Sequence, residues 1–334
     1  DASTGADASD EYTGDNVPVL QINRRYTGNI WNAADDYDYY QVDVEAGATY
    51  IFELYEMPAT INANLYLVSA DGIAIGTSDE NGPGVTEWIR YTAEETATYY
   101  MRVEPNSASD YDDENKYSVR YKRIYTICNG GLAGGCSFEP DFTSFYDAVN
   151  DLYNTVAGDK IPSPISAPVV FQVYDEGGPY RECIGGGSGL AHISSTNENV
   201  NIVFEAAPGN RPIINGKDAG GAYNNNYGIY VNGLDYVTFD GFEIVNSSVH
   251  GIYMNSNSDY VTFKNCEIHD NAEVPDGGSY LVRFYQCDYV NMSNCLVYNC
   301  NSNYSGIYIR ECHYNTYTNN TIYTNSNTQS EYSY

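Results

Sequence analysis

At 334 residues with 42% apolar content, the chain is long enough for two domains with cores of their own, which excludes wholesale disorder. Its 45 acidic against 15 basic residues leave a formal charge of −30, so nucleic acid and anionic lipid are repelled and cations are the better partners. No run reaches the roughly 20 apolar residues of a membrane span, so membrane insertion is not expected; with no basic-then-apolar leader before Asp1, the sequence reads as a mature, processed chain.

The chain opens on DASTGADASDE, which places Asp1, Asp7 and Asp10 among small residues. With Asp36 and Asp38 they supply the oxygen ligands that a calcium ion takes; a solvated acidic tail is the plain alternative. Short alternating segments follow up to about residue 123, at YYQVDV (39–44), TYIFEL (49–54), NLYLV (64–68), WIRY (88–91), YYMRV (99–103) and YSVRY (117–121). Their length and spacing, with AG, DG and NG turns between them, predict an antiparallel β-sandwich over residues 1–124.

The order DYDYY (36–40), EAGATY (45–50), NLYL (64–67) and TYYMRV (98–103) resembles that of the bacterial pre-peptidase C-terminal (PPC) domain, over roughly residues 15–123. The resemblance implies a jelly-roll-like module appended to secreted enzymes and surface proteins, with a binding or spacing role and no active site of its own.

Residues 125–166 read as a linker and one helix. Cys128 and Cys136 flank a glycine-rich loop and are close enough in sequence to pair with each other. Phe142, Phe145, Tyr146, Val149, Leu152, Tyr153 and Val156 recur at helical spacing, introduced by Pro140-Asp141 and followed by Gly158. The apolar segment APVVFQV (167–173) comes next, and this order of helix, strand and glycine-rich turn resembles the start of β-helix domains in secreted bacterial proteins. There the helix would cap the N-terminal end of the solenoid.

From residue 167 to 334 the fold is decided by an internal repeat. LDYVTFDGFEI (234–244), SDYVTFKNCEI (258–268), CDYVNMSNCLV (287–297) and CHYNTYTNNTI (312–322) align without gaps at a period of about 25 residues, which marks a solenoid. Three of these copies are preceded by GIY, at Gly228, Gly251 and Gly306. The predicted fold is therefore all-β: a sandwich, then a right-handed parallel β-helix similar to pectate-lyase-like repeats of secreted and surface proteins.

In that register Val237, Phe239, Phe242 and Ile244 face a continuous core, while Thr238, Thr262, Asn291 and Thr316 form one outward row and Tyr230, Arg283 and Tyr308 part of another. Asn265, Asn294 and Asn319 share a turn where side-chain amides would bridge coils. Cys266 lies over Cys295 and Cys287 over Cys312, either as inter-rung disulfides or as stacked thiols. Asn-x-Ser/Thr sequons at Asn246, Asn291, Asn303 and Asn319 permit N-glycosylation.

No catalytic set stands out. Asp235, Asp259 and Asp288 repeat as rungs repeat, as do Glu243 and Glu267, and a catalytic pair would depart from the pattern. His250, His269 and His313 are expected to face solvent. The last repeat has no capping helix, so either more chain follows or the next subunit docks there, and a head-to-tail contact that does not close makes a filament. The leading expectation is a non-catalytic extracellular structural protein whose partners are copies of itself. The alternative is a carbohydrate-active enzyme of polysaccharide lyase or glycoside hydrolase type, or a polysaccharide-binding adhesin whose Tyr230, Tyr253 and Tyr308 stack on sugar rings.

Overall fold

A computed structural model describes residues 17–22, 25–28, 37–78, 82–107, 116–153, 161, 165, 168–198, 200–222, 224–271, 279–300 and 306–323. The chain divides into two compact units, residues 1–124 and 125–334.

The N-terminal unit holds two antiparallel sheets. One runs in the order Asp38–Val44, Ala97–Pro105, Ala63–Ser69, Ala74–Ser78. In the other, strand Thr49–Tyr55 pairs with Glu87–Thr92 on one side and with Tyr117–Cys128 on the other, and Tyr117–Cys128 also pairs with Tyr26–Gly28. Strict alternation decides which side is buried: Tyr50, Phe52 and Leu54 enter one core with Val42, Leu65, Met101 and Val119, while their neighbours face outward. The six alternating segments of the sequence are all strands. Tyr26–Gly28 and Ala74–Ser78 were not legible, being short and without alternating apolar residues.

The C-terminal unit is a parallel β-helix of three sheets. The phenylalanine sheet stacks Val169–Tyr174, Ile202–Ala206, Val237–Asp240, Thr262–Lys264, Asn291–Ser293 and Thr316–Thr318. The tyrosine sheet stacks Leu190–Ala191, Tyr227–Asn232, His250–Asn255, Tyr280–Tyr285 and Ile307–Arg310. The third stacks Ile213–Asn215, Glu243–Val245, Glu267–His269, Leu296–Tyr298 and Thr321–Ile322.

Like sits over like. Thr238 pairs with Thr262, Thr262 with Asn291 and Asn291 with Thr316, the outward row expected from the repeat. Beneath it Phe171, Phe204, Phe239 and Phe263 form a face-to-face column with centroids 4.7, 5.6 and 5.2 Å apart. Val237, Phe239, Phe242 and Ile244 have no exposed surface.

The corners are made by left-handed residues. Tyr236, Tyr260, Tyr289 and Tyr314 have φ between 56° and 58°, and Gly241, Asn265, Asn294 and Asn319 repeat the conformation at the next corner. Asparagine tolerates this φ. Glycine is needed at 241 on a second count, because a Cβ there would lie 2.9 Å from the Ala206 methyl.

The helix covers Phe145–Tyr153 and buries Phe145, Ala148 and Leu152. Phe145 packs on Tyr180, Phe204 and Phe242 at 4.7, 6.1 and 6.1 Å. Its first turn is held from two directions. Ser144 Oγ accepts the Asp147 N–H at 3.0 Å, and the Glu182 carboxylate accepts the Phe145 and Tyr146 N–H groups at 2.8 and 3.0 Å. Asp141, expected to introduce the helix, accepts the Thr126 N–H at 2.8 Å instead. Tyr146 and Tyr153, read as part of the apolar stripe, are exposed, while Val156 and Gly158 lie outside the described residues.

Phe239 fills the middle of the ring column, so Phe239→Ala is expected to lower unfolding stability by about 3–5 kcal/mol in urea titrations. A loss under about 1 kcal/mol would mean that the column does not carry the core.

Candidate functional site

Side chains on the outer faces meet their counterparts in the next rung, so the surface is a set of ladders. At the first corner each aspartate accepts the backbone N–H of the next coil: Asp235 from Asp259 at 2.8 Å, Asp259 from Asp288 at 2.8 Å and Asp288 from His313 at 2.7 Å. Burial raises the Asp259 carboxyl above the usual range, and its acidic neighbours act in the same direction while the Asp288 N–H opposes them. Beside this row Tyr236, Tyr260, Tyr289 and Tyr314 stack at 4.5, 4.6 and 4.9 Å. The recurrence of Asp-Tyr at the start of the repeat was the signal for both ladders.

At the next corner the expected amide bridge is made at Asn265, whose Nδ2 donates to Asp240 Oδ1 of the preceding coil at 2.7 Å. At Asn265 and Asn294 the backbone N–H reaches the following coil, at Ser293 O and Thr318 O, both at 3.1 Å. Side-chain amides bridge coils from buried or half-buried positions as well. Asn271 Oδ1 accepts the Ser247 N–H at 2.7 Å and Asn320 Oδ1 the Cys295 N–H at 2.8 Å.

The tyrosine sheet gathers the residues nominated for sugar stacking. Tyr230 lies on Tyr253 at 5.0 Å, Arg283 sits over the Tyr253 ring at 5.1 Å and the Tyr308 ring at 5.7 Å, and Tyr308 stacks on Tyr280 at 4.7 Å. The ring faces that would meet sugar are thus turned to one another, which corrects the picture of free stacking platforms. Beside them His250 is buried, not solvent-facing. It lies between Tyr227 and Tyr280, at 5.8 Å from each, and its Nδ1 accepts the Tyr280 N–H at 3.0 Å. Burial, and then the Arg283 guanidinium 3.5 Å from Nε2, push the imidazole down to about 4.

On the third sheet Glu243 and Glu267 are register partners. Arg211 reaches both carboxylates, 3.6 Å from Glu243. His269 Nε2 lies 3.4 Å from Glu243 and 3.8 Å from Glu267, its Nδ1 lies 2.7 Å from Asp270, and the Tyr298 hydroxyl donates to Glu267 at 2.5 Å. His269 is therefore enclosed among carboxylates, against expectation, and of the three histidines expected to face solvent only His313 is mainly exposed, with Asp288 at 3.0 Å. The carboxyl pair meets a guanidinium, an imidazole and a phenol of its own chain, an arrangement that satisfies the carboxylates within the ladder.

Cys128 and Cys136 form a disulfide with Cα atoms 6.2 Å apart. The two other nominated pairs, Cys266 with Cys295 and Cys287 with Cys312, are free thiols hydrogen-bonded to each other, so the inter-rung staples are corrected to stacked thiols. Parallel in-register strands point like side chains the same way about 4.8 Å apart, whereas a disulfide needs Cβ atoms converging to about 3.8 Å. The hydrogen bond lowers the thiol that accepts it, Cys295 and Cys312, and raises its partner.

Of the nominated metal ligands, Asp1, Asp7, Asp10 and Asp36 lie outside the described residues. Asp38 is buried and accepts the Tyr117 hydroxyl, and Tyr117 in turn accepts from Tyr40 at 2.8 Å. Among the described residues no group of three His, Cys, Asp or Glu side chains is placed to hold a metal ion. Among the sequons, Asn319 is exposed, Asn246 and Asn291 are half-buried within rungs, and Asn303 lies outside the described residues.

Residues 219–333 match the family model described as the right handed beta helix region. Among solved structures, the pre-peptidase C-terminal domain of a collagenase from Bacillus anthracis is similar at 16% identity and a TM-score of 0.27, over 31% of this chain and 93% of that one. PliG of Aeromonas hydrophila, a periplasmic inhibitor of g-type lysozyme, is similar at 15% identity and a TM-score of 0.24, over 32% of this chain and 94% of that one. The catalytic domain of a GH87 alpha-1,3-glucanase in complex with nigerose gives 12% identity and a TM-score of 0.26; the alignment covers 86% of this chain but only 59% of that domain. Likenesses this weak transfer no activity to this chain. No curated protein matches it. No helix among the described residues is long and apolar enough to cross a membrane.

Two measurements test the ladders. The folded chain holds His250 near pKa 4 against an ordinary 6.5, so as the pH falls the unfolded chain takes up this proton first. The contribution of His250 to stability is complete above about pH 6.5 and is lost between there and about pH 4, at most about 3 kcal/mol. In urea titrations the stability gap between wild type and His250→Gln should therefore narrow from pH 7 to 4.5, and a gap independent of pH would contradict the assignment. In alkylation followed by mass spectrometry, half-exposed Cys312 should label first and Cys266 only after unfolding; early labelling of Cys266 would show that the stack opens.

Proposed function

We propose that the chain is a non-catalytic extracellular structural protein, a subunit or stalk of a surface assembly in which the β-helix is the stiff, length-giving element. The observation that carries this reading is the ladder architecture. Aspartates cap the next coil's amides, tyrosines stack on tyrosines, and the Glu243–Glu267 pair is met by Arg211, His269 and Tyr298. Polar groups engaged in this way stiffen a rod, and they are poorly placed to exchange protons with a substrate.

In this proposal the N-terminal sheets form a jelly-roll-like sandwich that spaces or attaches the rod, and the helix Phe145–Tyr153 closes one end of its core through Phe145. Partners are further copies of the chain. Head-to-tail docking draws support from the edge strands Ile307–Arg310, Thr316–Thr318 and Thr321–Ile322, where Ile309 and Ile322 are 42% and 53% exposed. Calcium on the acidic N-terminal run is a further part of the proposal, suited to the net charge of −30.

A second reading, a carbohydrate-binding surface protein, is favoured by the density of tyrosine at the surface, where phenol edges and hydroxyls remain available even though ring faces are paired.

Light scattering and negative-stain electron microscopy of the purified chain, with and without calcium, test the first reading. End-to-end oligomers are expected, shortened to monomers by Ile309→Asp with Ile322→Asp. A clean monomer at high concentration under both conditions would overturn it.

A further inference from the structure

Beside the N-terminal edge of the tyrosine sheet, the helix and the loop Gly185–Gly189 enclose a cleft of about 320 Å³. Tyr146, Val149, Asn150 and Tyr153 form its helical wall, the glycine loop faces them, and Cys183 lies at its base. Its volume is at the lower end of small-molecule sites, about 300–1,000 Å³.

The four glycines of the loop are not equivalent. A Cβ at Gly185 would lie 2.4 Å from Tyr230 O, and one at Gly189 2.5 Å from the Asn232 Cβ, so packing on the tyrosine sheet requires both. Over Gly186 and Gly187 a Cβ would meet nothing within 4 Å. Gly186 has φ 59°, which accounts for it, but Gly187 lies outside the left-handed region. Nothing in the fold requires Gly187 to lack a side chain; what its bareness provides is an open cleft.

The chemistry of the walls selects the ligand. Among the described residues lining the cleft none is an acid or a base, in a chain of net charge −30. Burial pushes the Cys183 thiol up to about 12, which keeps it protonated. An ionic ligand would find no counter-charge, and a purely apolar one would strand the Asn150 amide, the Ser188 hydroxyl and the loop backbone. Tyr146 is 67% exposed and, among the described residues, has no ring partner, unlike the paired tyrosines of the ladders. Tyr153, at the other end of the helical wall, is fixed by its hydroxyl, which donates to Ala191 O at 2.8 Å. A free aromatic face beside neutral hydrogen-bonding groups suits a sugar ring, with its C–H face on the ring and its hydroxyls on the amides.

We propose that this cleft binds one or two residues of a neutral polysaccharide, a site separate from the tyrosine ladder. The proposal goes beyond the structural reading above, and either can fail without the other.

The test is isothermal titration of the full chain with cellotetraose, laminaritetraose, maltotetraose and mannotetraose, and with tetragalacturonate as the acidic control. At least one neutral tetramer is expected to bind and tetragalacturonate is not. Gly187→Phe, which fills the cleft at a position free of strain, should weaken binding at least about tenfold. Tyr146→Ala should weaken it about three- to tenfold, and decides the matter should the first variant melt early. No neutral tetramer binding below about 10 mM, or binding unchanged in a folded Gly187→Phe and in Tyr146→Ala, would overturn the assignment. Tight binding of tetragalacturonate would overturn the neutral class. Assembly by light scattering is unaffected by either variant if the two proposals are independent.

Discussion

The structure of the C-terminal unit depends on one constraint: successive coils lie in register, with each side chain over its counterpart. The column Phe171, Phe204, Phe239 and Phe263 is its interior expression. A coil of about 25 residues is too small to bury its own apolar face, so its stability comes from the coil above and the coil below. A slip of one residue would turn Thr238 inward and Phe239 outward in every rung it touched. The corners enforce the register independently, because left-handed Tyr236, Tyr260, Tyr289 and Tyr314 must fall at equivalent points for their rings to stack.

The same constraint decides what the surface is made of. A polar side chain repeated every coil meets itself, and the ladder survives only where the meeting is favourable. Aspartate succeeds by accepting a backbone N–H, tyrosine by stacking, and Glu243 over Glu267 by drawing in Arg211 and His269. Where a cation enters the tyrosine row, at Arg283, it lies over the rings on either side, and its charge adds to the burial that keeps nearby His250 neutral. The cleft beside the helix stands apart because its walls come from the helix and a loop, neither of which belongs to the repeat.

What could be read from the sequence follows this division. The aligned copies 234–244, 258–268, 287–297 and 312–322 exposed the coils, the core residues and the outward threonine row, because each depends only on position within the repeat. The surroundings of His250 and His269 were not readable: their partners Tyr280, Arg283 and Arg211 come from strands or connecting segments outside the aligned motif. The cysteine stacks were placed correctly in register, but the sequence left bridge and thiol both open, and parallel Cβ directions decide for thiols. Glu182 as a helix cap was invisible for a related reason, since a cap supplied from 37 residues away has no local signature. The cleft could be traced only to a run of glycines, whose separate roles depend on what lies across from each.

The in-register stack is tested most directly by the distance between spin labels on Thr238 and Thr316, outward positions three rungs apart along the row Thr238, Thr262, Asn291, Thr316. Pulsed and continuous-wave dipolar spectroscopy should report a narrow distribution consistent with about 14 Å between the backbones, three spacings of about 4.8 Å, widened by the label arms. A broad distribution, or one centred beyond about 25 Å, would contradict the stacked coils on which the ladders, the proposed rod and the isolation of the cleft all rest.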